Sequence, residues 1–312
     1  MTSPNRLAYA ALVAVCVIWG TTYLGIRVAL EAVPPALMGA FRWIIAGTIL
    51  VAFVWARGQA LPRVSTWSGL ALQGLLMIGF GNGFVNWAEQ SVPSGLAAVV
   101  IATSPFFMAG VEALRSDGER ITKRALVGLA LGFTGILVLV WPDLRFDDTH
   151  GTRFILGLVA LQVACLGWAI GSSYSKRHPH GESVIGATAV QMLFGGLILL
   201  VVGTLSGEWR QVSLGGRGAA ALVYLTIVGS IGGFVSYVYA LQYLPVSTVS
   251  VYAYINPLIA VVLGAALLGE PFGPRTVIAM AIVFVGVALV KQPARVAQKS
   301  SAPALIHNAE GA

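Results

Sequence analysis

The sequence is short of charged residues and of cysteine. Only 10% of its 312 residues are charged, 57% are hydrophobic and the mean hydropathy is +0.83. This leaves too little polar side chain to cover a water-facing surface, which excludes the two soluble domains that the length alone would suggest. The two cysteines, Cys16 and Cys165, lie inside apolar runs at a spacing that indicates neither a disulfide framework nor a metal site. We expect both to be small buried hydrophobes.

Enzyme signatures are missing as well. No Gly-x4-Gly-Lys-Ser/Thr phosphate loop occurs, so direct coupling to ATP is not expected. The four histidines fall in predicted loops or the C-terminal tail, which leaves no nucleophile–base set at membrane depth. We therefore expect no enzymatic activity and no cofactor or metal. Asp143, Asp147 and Asp148, with His150, form an acidic group that favours a solvated loop over a weak cation site.

Long apolar runs dominate the chain. A hydrocarbon core of about 30 Å needs about 20 apolar helical residues at about 1.5 Å each, and such runs can be drawn ten times here. Because lipid cannot hydrogen-bond the backbone, runs this long must be helices and not a barrel. The prediction is an all-α integral membrane protein with ten transmembrane helices. Its predicted parts are a cytoplasmic N-terminus (1–6), a first five-helix repeat (7–141), an external loop (142–153), a second five-helix repeat (154–290) and a disordered cytoplasmic tail (291–312).

The two predicted halves share matched residues at a nearly constant offset. At an offset of 152, Ala88, Gln90, Pro93 and Pro105 match Ala240, Gln242, Pro245 and Pro257; at 151, Gly118, Glu119, Arg124 and Gly135 match Gly269, Glu270, Arg275 and Gly286; at 149, Cys16, Trp19 and Gly47 match Cys165, Trp168 and Gly196. This pattern indicates a duplicated five-helix unit with small loop insertions.

Five helices per repeat have a geometric consequence. The second half must enter the membrane from the opposite face, so the repeats are predicted to be inverted around a central cavity, an arrangement typical of secondary transporters. With the N-terminus inside, twelve of the 19 basic residues fall on the cytoplasmic side and six on the other, leaving Arg42 within a helix. Both termini are therefore predicted to be cytoplasmic. The spread of the +7 net charge over helix ends also argues against a nucleic-acid partner.

Arg42 is the deepest predicted charge. It lies about 10 Å inside the second predicted span, where an arginine costs about 2.5–3.5 kcal/mol and should face the bundle interior with partners. Asn82, Asn86 and Glu89 fall at i, i+4 and i+7 of the third span, which places them on one helical face. We predict that this stripe and Arg42 line a substrate cavity, with Glu89 as a candidate coupling residue. A purely structural tie between Arg42 and Glu89 is the alternative.

The second half offers amide and aromatic groups in place of this charge. Gln191 occupies the position that matches Arg42, and Trp19 and Trp168 occupy matched positions near mid-span. We predict that these residues, with Tyr237, Tyr252 and Asn256, form the other wall of the cavity, although core packing explains each aromatic taken alone. Such a cavity would suit a small solute with a polar or zwitterionic head and an apolar body.

Proline and glycine mark the fourth, fifth and ninth spans. Pro105 and Pro257 are predicted to kink their helices, as a hinge or as a static bend. Gly128 and Gly132 form a G-x-x-x-G motif that serves packing within the bundle as well as dimerisation, so the oligomeric state stays open. Glu270 follows a glycine at a helix end, and we interpret it as part of a structural turn.

The chain resembles the EamA-type family of the drug/metabolite transporter superfamily over about residues 7–290. The resemblance rests on Trp19-Gly20, on Pro35 with Arg42, and on the repeated Pro105 and Pro257 helices that each lead into Gly-Glu. It implies a ten-helix inner-membrane permease with inverted repeats and a central cavity. Members of this family mostly export small metabolites such as amino acids, and some move purines or toxic organic compounds.

The prediction is a secondary transporter or facilitator that exports small amphipathic, amino-acid-like solutes by alternating access. Its expected partners are the solute and the lipid bilayer. Efflux of purines or organic compounds is the alternative within transport, and a non-transporting membrane scaffold is the alternative outside it. Proton-driven export of organic cations normally needs a carboxylate at mid-membrane, whereas the deep charge here is positive.

Overall fold

The computed structural model describes residues 4–114, 123–140, 149–178, 183–213 and 215–290. All regular structure within these ranges is helical. Seven helices of the described ranges are long and apolar enough to cross a membrane: Arg6–Ala29, Pro35–Ala56, Val64–Ala88, Ser94–Ala113, Gly151–Arg177, Val184–Leu205 and Gly216–Tyr243. Three more apolar helices are shorter: Leu126–Val138, Tyr252–Leu268 and Pro274–Gly286. The all-helical membrane class is confirmed.

The first half consists of α1 (Pro4–Ala29), α2 (Pro35–Ala56), α3 (Trp67–Gln73), a π-helical segment π1 (Gly74–Asn82), α4 (Gly83–Ala88), α5 (Ser94–Ile101), α6 (Ser104–Ala113) and α7 (Lys123–Val140). The second half consists of α8 (Thr149–Arg177), α9 (Val184–Leu205), α10 (Gly216–Tyr224), a π-helical segment π2 (Leu225–Phe234), α11 (Val235–Tyr243), α12 (Val246–Val249), α13 (Tyr252–Leu268) and α14 (Pro274–Val290). Short 3-10 turns cover Val64–Thr66 and Glu208–Gln211.

The third and eighth helical segments are both α-helical at their ends and π-helical in the middle. The π segments, π1 and π2, begin and end at closely matched positions of the two halves. π-Helical turns are rare and occur frequently at functional sites. Nothing in the apolar pattern of the sequence predicted them.

The fourth segment is interrupted in the turn that precedes its predicted proline kink. Its helix breaks at Ala102 and Thr103, and Pro105 lies in the first turn of α6, where a missing N–H costs no intrahelical hydrogen bond. In the ninth segment α13 continues through Pro257, and the interruption lies earlier, between α12 and α13. Both segments are therefore broken, the fourth in the turn that precedes its proline and the ninth further upstream.

Three buried helix ends are capped by side chains from near or far in the sequence. Glu208 accepts hydrogen bonds from the backbone of Ala36 (3.3 Å) and Leu37 (2.8 Å) at the start of α2. Glu270 accepts from Ser94 N and Oγ (2.8 Å each) and from Gly95 N (2.9 Å) at the start of α5. The carboxylates accept hydrogen bonds from backbone amides that have no partner within the helix, at the positive end of each helix dipole. Ser183 accepts from Gly186 N at 3.1 Å in the same way at the start of α9.

The predicted structural role of Glu270 is therefore confirmed. Gly269 before it is left-handed (φ 65°), and Glu270 N donates to the carbonyl of Gly264 at 3.1 Å, which closes the end of α13. The matching pair Gly118 and Glu119 lies outside the described residues. So do the acidic group Asp143, Asp147 and Asp148, residues 142–148 of the predicted loop over 142–153, and the predicted tail over 291–312. Residues 149–153 of that loop belong to α8.

Contacts between the halves dominate the packing. The most extensive interfaces join α2 to α9, α7 to α14 and α1 to α13. The α7–α14 interface uses the predicted G-x-x-x-G motif, since a Cβ on Gly286 would lie 2.5 Å from the carbonyl oxygen of Gly128 and 2.6 Å from the amide of Gly132. The motif thus packs two helices of the same chain. Both cysteines are buried and free, as expected.

Candidate solute-binding site

A cluster of aromatic side chains occupies the centre of the bundle. The rings of Trp19 (α1) and Trp168 (α8) meet edge to face, with centroids 5.3 Å apart. Tyr237 lies 5.0 Å from Trp19 and 5.1 Å from Trp168, and Tyr252 lies 5.2 Å from Trp19. Such geometry suits the quadrupoles of the rings. The structure thus brings the four predicted aromatics together, and two of them come from matched positions of the repeat.

Each tryptophan lies against a glycine of the π segment in the other half. A Cβ on Gly233 of π2 would lie 2.4 Å from Trp19 Nε1, and a Cβ on Gly81 of π1 would lie 2.8 Å from Trp168 Cε3. The two glycines are 152 positions apart, and the tryptophans are 149 apart. Both contacts require the close backbone approach that only glycine permits. The centre of the bundle is therefore formed by the same type of tryptophan–glycine contact in both halves.

The polar edges of the tryptophans are paired. Trp19 Nε1 donates to the carbonyl of Gly229 at 3.2 Å, within π2. Trp168 Nε1 donates to Tyr237 Oη at 3.1 Å, and this hydroxyl also shares a 2.8 Å hydrogen bond with Ser172 Oγ. Buried indole and phenol groups normally find such partners. These hydrogen bonds fix the orientation of the rings.

Arg42 is buried and faces neutral partners. It is 2% exposed, its Nε donates to Ser230 Oγ at 2.6 Å, and its Nη1 lies 3.4 Å from Asn82 Oδ1. Its guanidinium carbon also lies 4.6 Å from the ring centre of Trp43. Gly229 makes room for it, since a Cβ there would lie 3.0 Å from Nη2. Arg42 forms no ion pair in the described part of the chain, so its charge is available to an anionic group.

Arg42 and Glu89 form no direct ion pair among the described residues, although each is within electrostatic range of the other. Glu89 is 0% exposed, and neither of its carboxylate oxygens has a hydrogen-bond partner among the described residues. Its backbone carbonyl accepts a hydrogen bond from Arg27 Nη1, and its backbone amide donates to Val85 O at 3.0 Å.

A cavity of about 70 Å³ lies between Arg42 and the aromatic cluster. Six of the predicted site residues line it: Trp19, Arg42, Asn82, Trp168, Tyr252 and Asn256. Asn256, with its amide turned to donate, reaches the carbonyl oxygens of Tyr252 (3.1 Å) and Cys16 (3.0 Å). Small-molecule sites typically measure about 300–1,000 Å³, so this cavity must widen before it can hold a metabolite.

The structure places the other predicted site residues away from this cavity. Asn86 is fully buried and donates to the carbonyl of Pro35 at 3.3 Å. Tyr237 lies behind Trp168, and Gln191 donates to Met77 Sδ at 3.4 Å and borders a separate cavity of about 50 Å³. Glu89 lines neither cavity. The predicted stripe of Asn82, Asn86 and Glu89 is thus divided, because Asn82 ends π1 and the other two belong to the α-helical turns beyond it.

Several cavity residues were missed by the sequence analysis. Thr22, Tyr23, Ser104 and Cys165 line the cavity, and Ser230 binds Arg42 from the other half. Ser104 carried a signal, since it begins the helix after a break and precedes the repeated proline. Its hydroxyl donates to Ile101 O (2.6 Å) and lies 3.3 Å from Cys165 Sγ. Cys165 carried a signal too, through its repeat match with Cys16, whereas Thr22, Tyr23 and Ser230 carry no charge or motif that could have singled them out.

A bundle of apolar helices around a buried cation and an aromatic cavity defines a multi-pass membrane protein with an internal site. One family model, described as the EamA-like transporter family, matches the chain twice, over residues 6–141 and 155–292. The chain belongs to this family and is a membrane transporter.

Known proteins of similar sequence agree with this assignment. The uncharacterized inner membrane transporter YedA of Escherichia coli (strain K12) is 35% identical over 283 residues, which cover 90% of each chain. A WAT1-related chloroplastic protein of Arabidopsis thaliana is 28% identical over 92% of this chain and 70% of its own length. One solved crystal structure, 22% identical, superposes with a TM-score of 0.66 over 92% of this chain and 97% of that one, which supports the fold alone.

Proposed function

We propose that the protein exports small amphipathic, amino-acid-like solutes across the cytoplasmic membrane by alternating access. One observation carries the proposal: a buried arginine that has no ion-pair partner among the described residues faces a tryptophan-lined cavity. Arg42 suits the carboxylate of such a solute, while Trp19, Trp168 and Tyr252 suit an apolar or aromatic body. Asn82 and Asn256 add amide groups that can bind a polar head.

The proposed architecture is ten transmembrane helices in two inverted five-helix repeats, with both termini in the cytoplasm. The double match to one family model supports the duplication. Reciprocal contacts support a twofold relation, because α1 packs against π2 while α8 packs against π1. The excess of Lys and Arg on the side that holds the N-terminus supports the orientation.

The small size of the cavity supports a cycle in which the present conformation is the closed one. Solute entry would then separate the walls formed by the two halves, as in transporters built from repeats. Asn86, Gln191 and Tyr237 are proposed to act in an opened conformation, since they lie at the edges of the closed cavity or beyond it.

Uptake into liposomes with the purified protein tests the proposal. The panel holds labelled aromatic and aliphatic amino acids, a purine and an organic cation. We expect saturable movement of amino acids, weakened by Arg42→Gln and Trp168→Ala but not by the matched surface changes Arg210→Gln and Trp55→Ala. Trp55 is 82% exposed and Arg210 is also exposed, so these controls repeat the chemistry away from the cavity.

The size of the expected effect follows from the charge. A hydrogen bond to a charged group is worth about 1.5–3 kcal/mol, which corresponds to about a 10- to 150-fold rise in KM for Arg42→Gln. Preference for the purine or the organic cation would replace the amino-acid proposal by the corresponding efflux function. Movement of no solute by folded protein would contradict the proposal and favour the scaffold.

A further inference from the structure

Two helices from different halves, α6 and α8, run side by side away from the solute cavity, toward the side that the Lys and Arg distribution assigns to the cytoplasm. Ser104 Oγ donates to Cys165 Sγ at 3.3 Å, and both residues line the cavity. Eight residues later in each helix, or about 12 Å further along, Ser173 Oγ donates to Glu112 Oε1 at 2.7 Å. Both contacts join residues 61 positions apart, so the two helices are parallel and in register. They form one wall that begins at the cavity and ends at Glu112.

The inner end of this wall carries an ion pair between the halves. Arg177 Nη1 donates to Glu112 Oε1 at 3.0 Å, and Arg177 Nη2 donates to Glu112 Oε2. Arg177 also donates to the backbone carbonyl of Ser173 at 3.2 Å. A bidentate pair of this kind fixes geometry as well as contributing energy. The side chains of Arg177 and Glu112 are 25% and 30% exposed, so water reaches the pair in the closed conformation.

The middle of the wall is apolar. Met108 and Ala169 lie halfway between the two polar contacts and are buried members of the central core. Apolar packing is non-directional, whereas the ion pair at the end of the wall favours one arrangement of the two helices. The Glu112–Arg177 pair is therefore the directional contact that holds the inner end of α6 against α8.

A break, and not a continuous helix, joins α6 to α5. The chain leaves the helix at Ala102 and Thr103. Pro105 lacks the N–H that would bond the carbonyl of Ile101, and the hydroxyl of Ser104 donates to that carbonyl at 2.6 Å instead. Residues at the ends of helices are the places where hinges absorb backbone rotation. The break therefore allows α6 to tilt while α5 stays in place.

The start of α5, on the far side of the break, is tied down. Glu270 accepts hydrogen bonds from Ser94 and Gly95 there. A Cβ on Gly264 would lie 2.4 Å from Glu270 Oε2, so this carboxylate fills the space beside the glycine. Gly264 is the residue that matches Glu112, 152 positions later. A carboxylate thus joins the halves at corresponding places near both ends of the fourth segment.

We propose that the Glu112–Arg177 pair is the cytoplasmic gate of the solute cavity, an inference that rests on the proposed alternating access. With the pair formed, α6 lies along α8 and separates the cavity from the cytoplasm. With the pair broken, water hydrates each charge separately and α6 tilts about the break at 102–103. Its separation from α8 then connects the cavity with cytoplasmic water. Neither charged residue lines the cavity, so both are positioning residues that act through α6.

The native thiol of Cys165 reports whether the cavity is open. Cys165 lines the cavity, and Cys16→Ala removes the other cysteine of the chain, which does not. Membrane vesicles that hold the full-length protein are treated with an anionic, membrane-impermeant methanethiosulfonate reagent, whose charge suits Arg42. The labelling rate of Cys165 is measured from the cytoplasmic side and, separately, from the external side. No solute is present.

The variants alter the pair and leave the cavity unchanged. We expect Glu112→Gln to raise the labelling rate from the cytoplasmic side about tenfold, a shift of about 1.4 kcal/mol in the gate equilibrium, with no rise from the external side. Reversal of the pair by Glu112→Arg with Arg177→Glu should restore the slow rate. Glu31→Gln is the matched control, because it breaks an exposed ion pair between the halves, to Arg217 at 2.6 Å, without altering α6. Its labelling rate should equal that of the unaltered protein.

Several results would overturn the gate: an unchanged rate in Glu112→Gln, an equal rise from both sides, an equal rise in Glu31→Gln, or a rise that the reversed pair does not suppress. Ser173→Ala is a milder variant that removes one hydrogen bond to Glu112 and should give a smaller rise on the cytoplasmic side. If both Ser173→Ala and Glu112→Gln fail to fold, the contact serves the structure and the gate is wrong.

The gate and the proposed solute fail separately. Because labelling needs no solute, the expected labelling together with no movement of amino acids would support the gate and contradict the amino-acid proposal. Saturable movement of amino acids without the expected labelling would overturn the gate alone.

Discussion

The contact between Gly233 and Trp19 yields a prediction with a built-in control. A Cβ on Gly233 would lie 2.4 Å from Trp19 Nε1 and 2.8 Å from Trp19 Cδ1, so Gly233→Ala must push the indole away. The displaced ring would lose its 3.2 Å hydrogen bond to Gly229 O and its edge-to-face contact with Trp168. Gly232 is the neighbouring residue of the same π segment. A Cβ there meets only ordinary contacts at 3.5 Å and beyond.

The magnitudes follow from these contacts. Overpacking a tight core costs about 1–3 kcal/mol, and a lost buried hydrogen bond costs about 0.5–1.5 kcal/mol. Gly233→Ala should therefore destabilise the protein by roughly 1.5–4.5 kcal/mol. For Gly232→Ala we expect no loss and up to about 1 kcal/mol of gain, because alanine is the better helix former and fits without strain.

Thermal unfolding of the purified protein in detergent, with intrinsic tryptophan fluorescence as the readout, measures both changes. Gly233→Ala should lower the melting temperature by several degrees and shift the emission of the central tryptophans, while Gly232→Ala should do neither. Solute uptake should fall only in Gly233→Ala, since Trp19 lines the cavity. Equal melting temperatures and equal uptake for the two variants would refute the packing described here.

Three further predictions use the same assays. Arg42→Lys keeps the charge but cannot span Ser230 and Asn82 at once, so solute KM should rise at least several-fold with folding intact; an unchanged KM would contradict the binding role. Glu270→Ala removes three hydrogen bonds at the start of α5 and should lower the free energy of unfolding by about 1–2 kcal/mol. Glu31→Ala, which removes a partly exposed ion pair, should lower it by less than about 1 kcal/mol. Equal losses in the two variants would argue against the capping role of Glu270. Gly286→Leu should disrupt the α7–α14 interface and prevent recovery of folded protein, and normal yield would show that these helices do not pack as described.

The long apolar helices could be predicted from the sequence, because hydrophobic length is a direct consequence of membrane thickness. The segment over Val246–Leu268 shows the limit of that rule. It has the predicted length, but a break after Val249 leaves only Tyr252–Leu268 as a continuous helix. Hydropathy does not report such breaks, since turn residues inside a bundle are as apolar as helical ones.

The depth of Arg42 predicted that it is buried and has partners, and this is confirmed. The sequence could not identify the main hydrogen-bond partner of Arg42. Ser230 comes from the other half, 188 positions away, and a neutral hydroxyl carries no charge signal. Opposite charge suggested Glu89 instead. The prediction of substrate contacts at Trp19, Trp168 and Tyr252 is untested, although the cavity that they line exists.

The π segments change which helical face each residue beyond them occupies, and this alters the periodicity expected in mutational data. Residues in an α-helix are spaced about 100° apart, so each residue that a wider turn takes up shifts the helical phase of everything beyond it by about that angle. Labelling of single cysteines along residues 67–88 should therefore show one periodic pattern before Gly74 and the same pattern, out of phase, after Asn82. A second phase slip should occur across Leu225–Phe234. A helical wheel drawn through either segment as a single helix will assign lipid-facing residues to the interior, and interior residues to lipid.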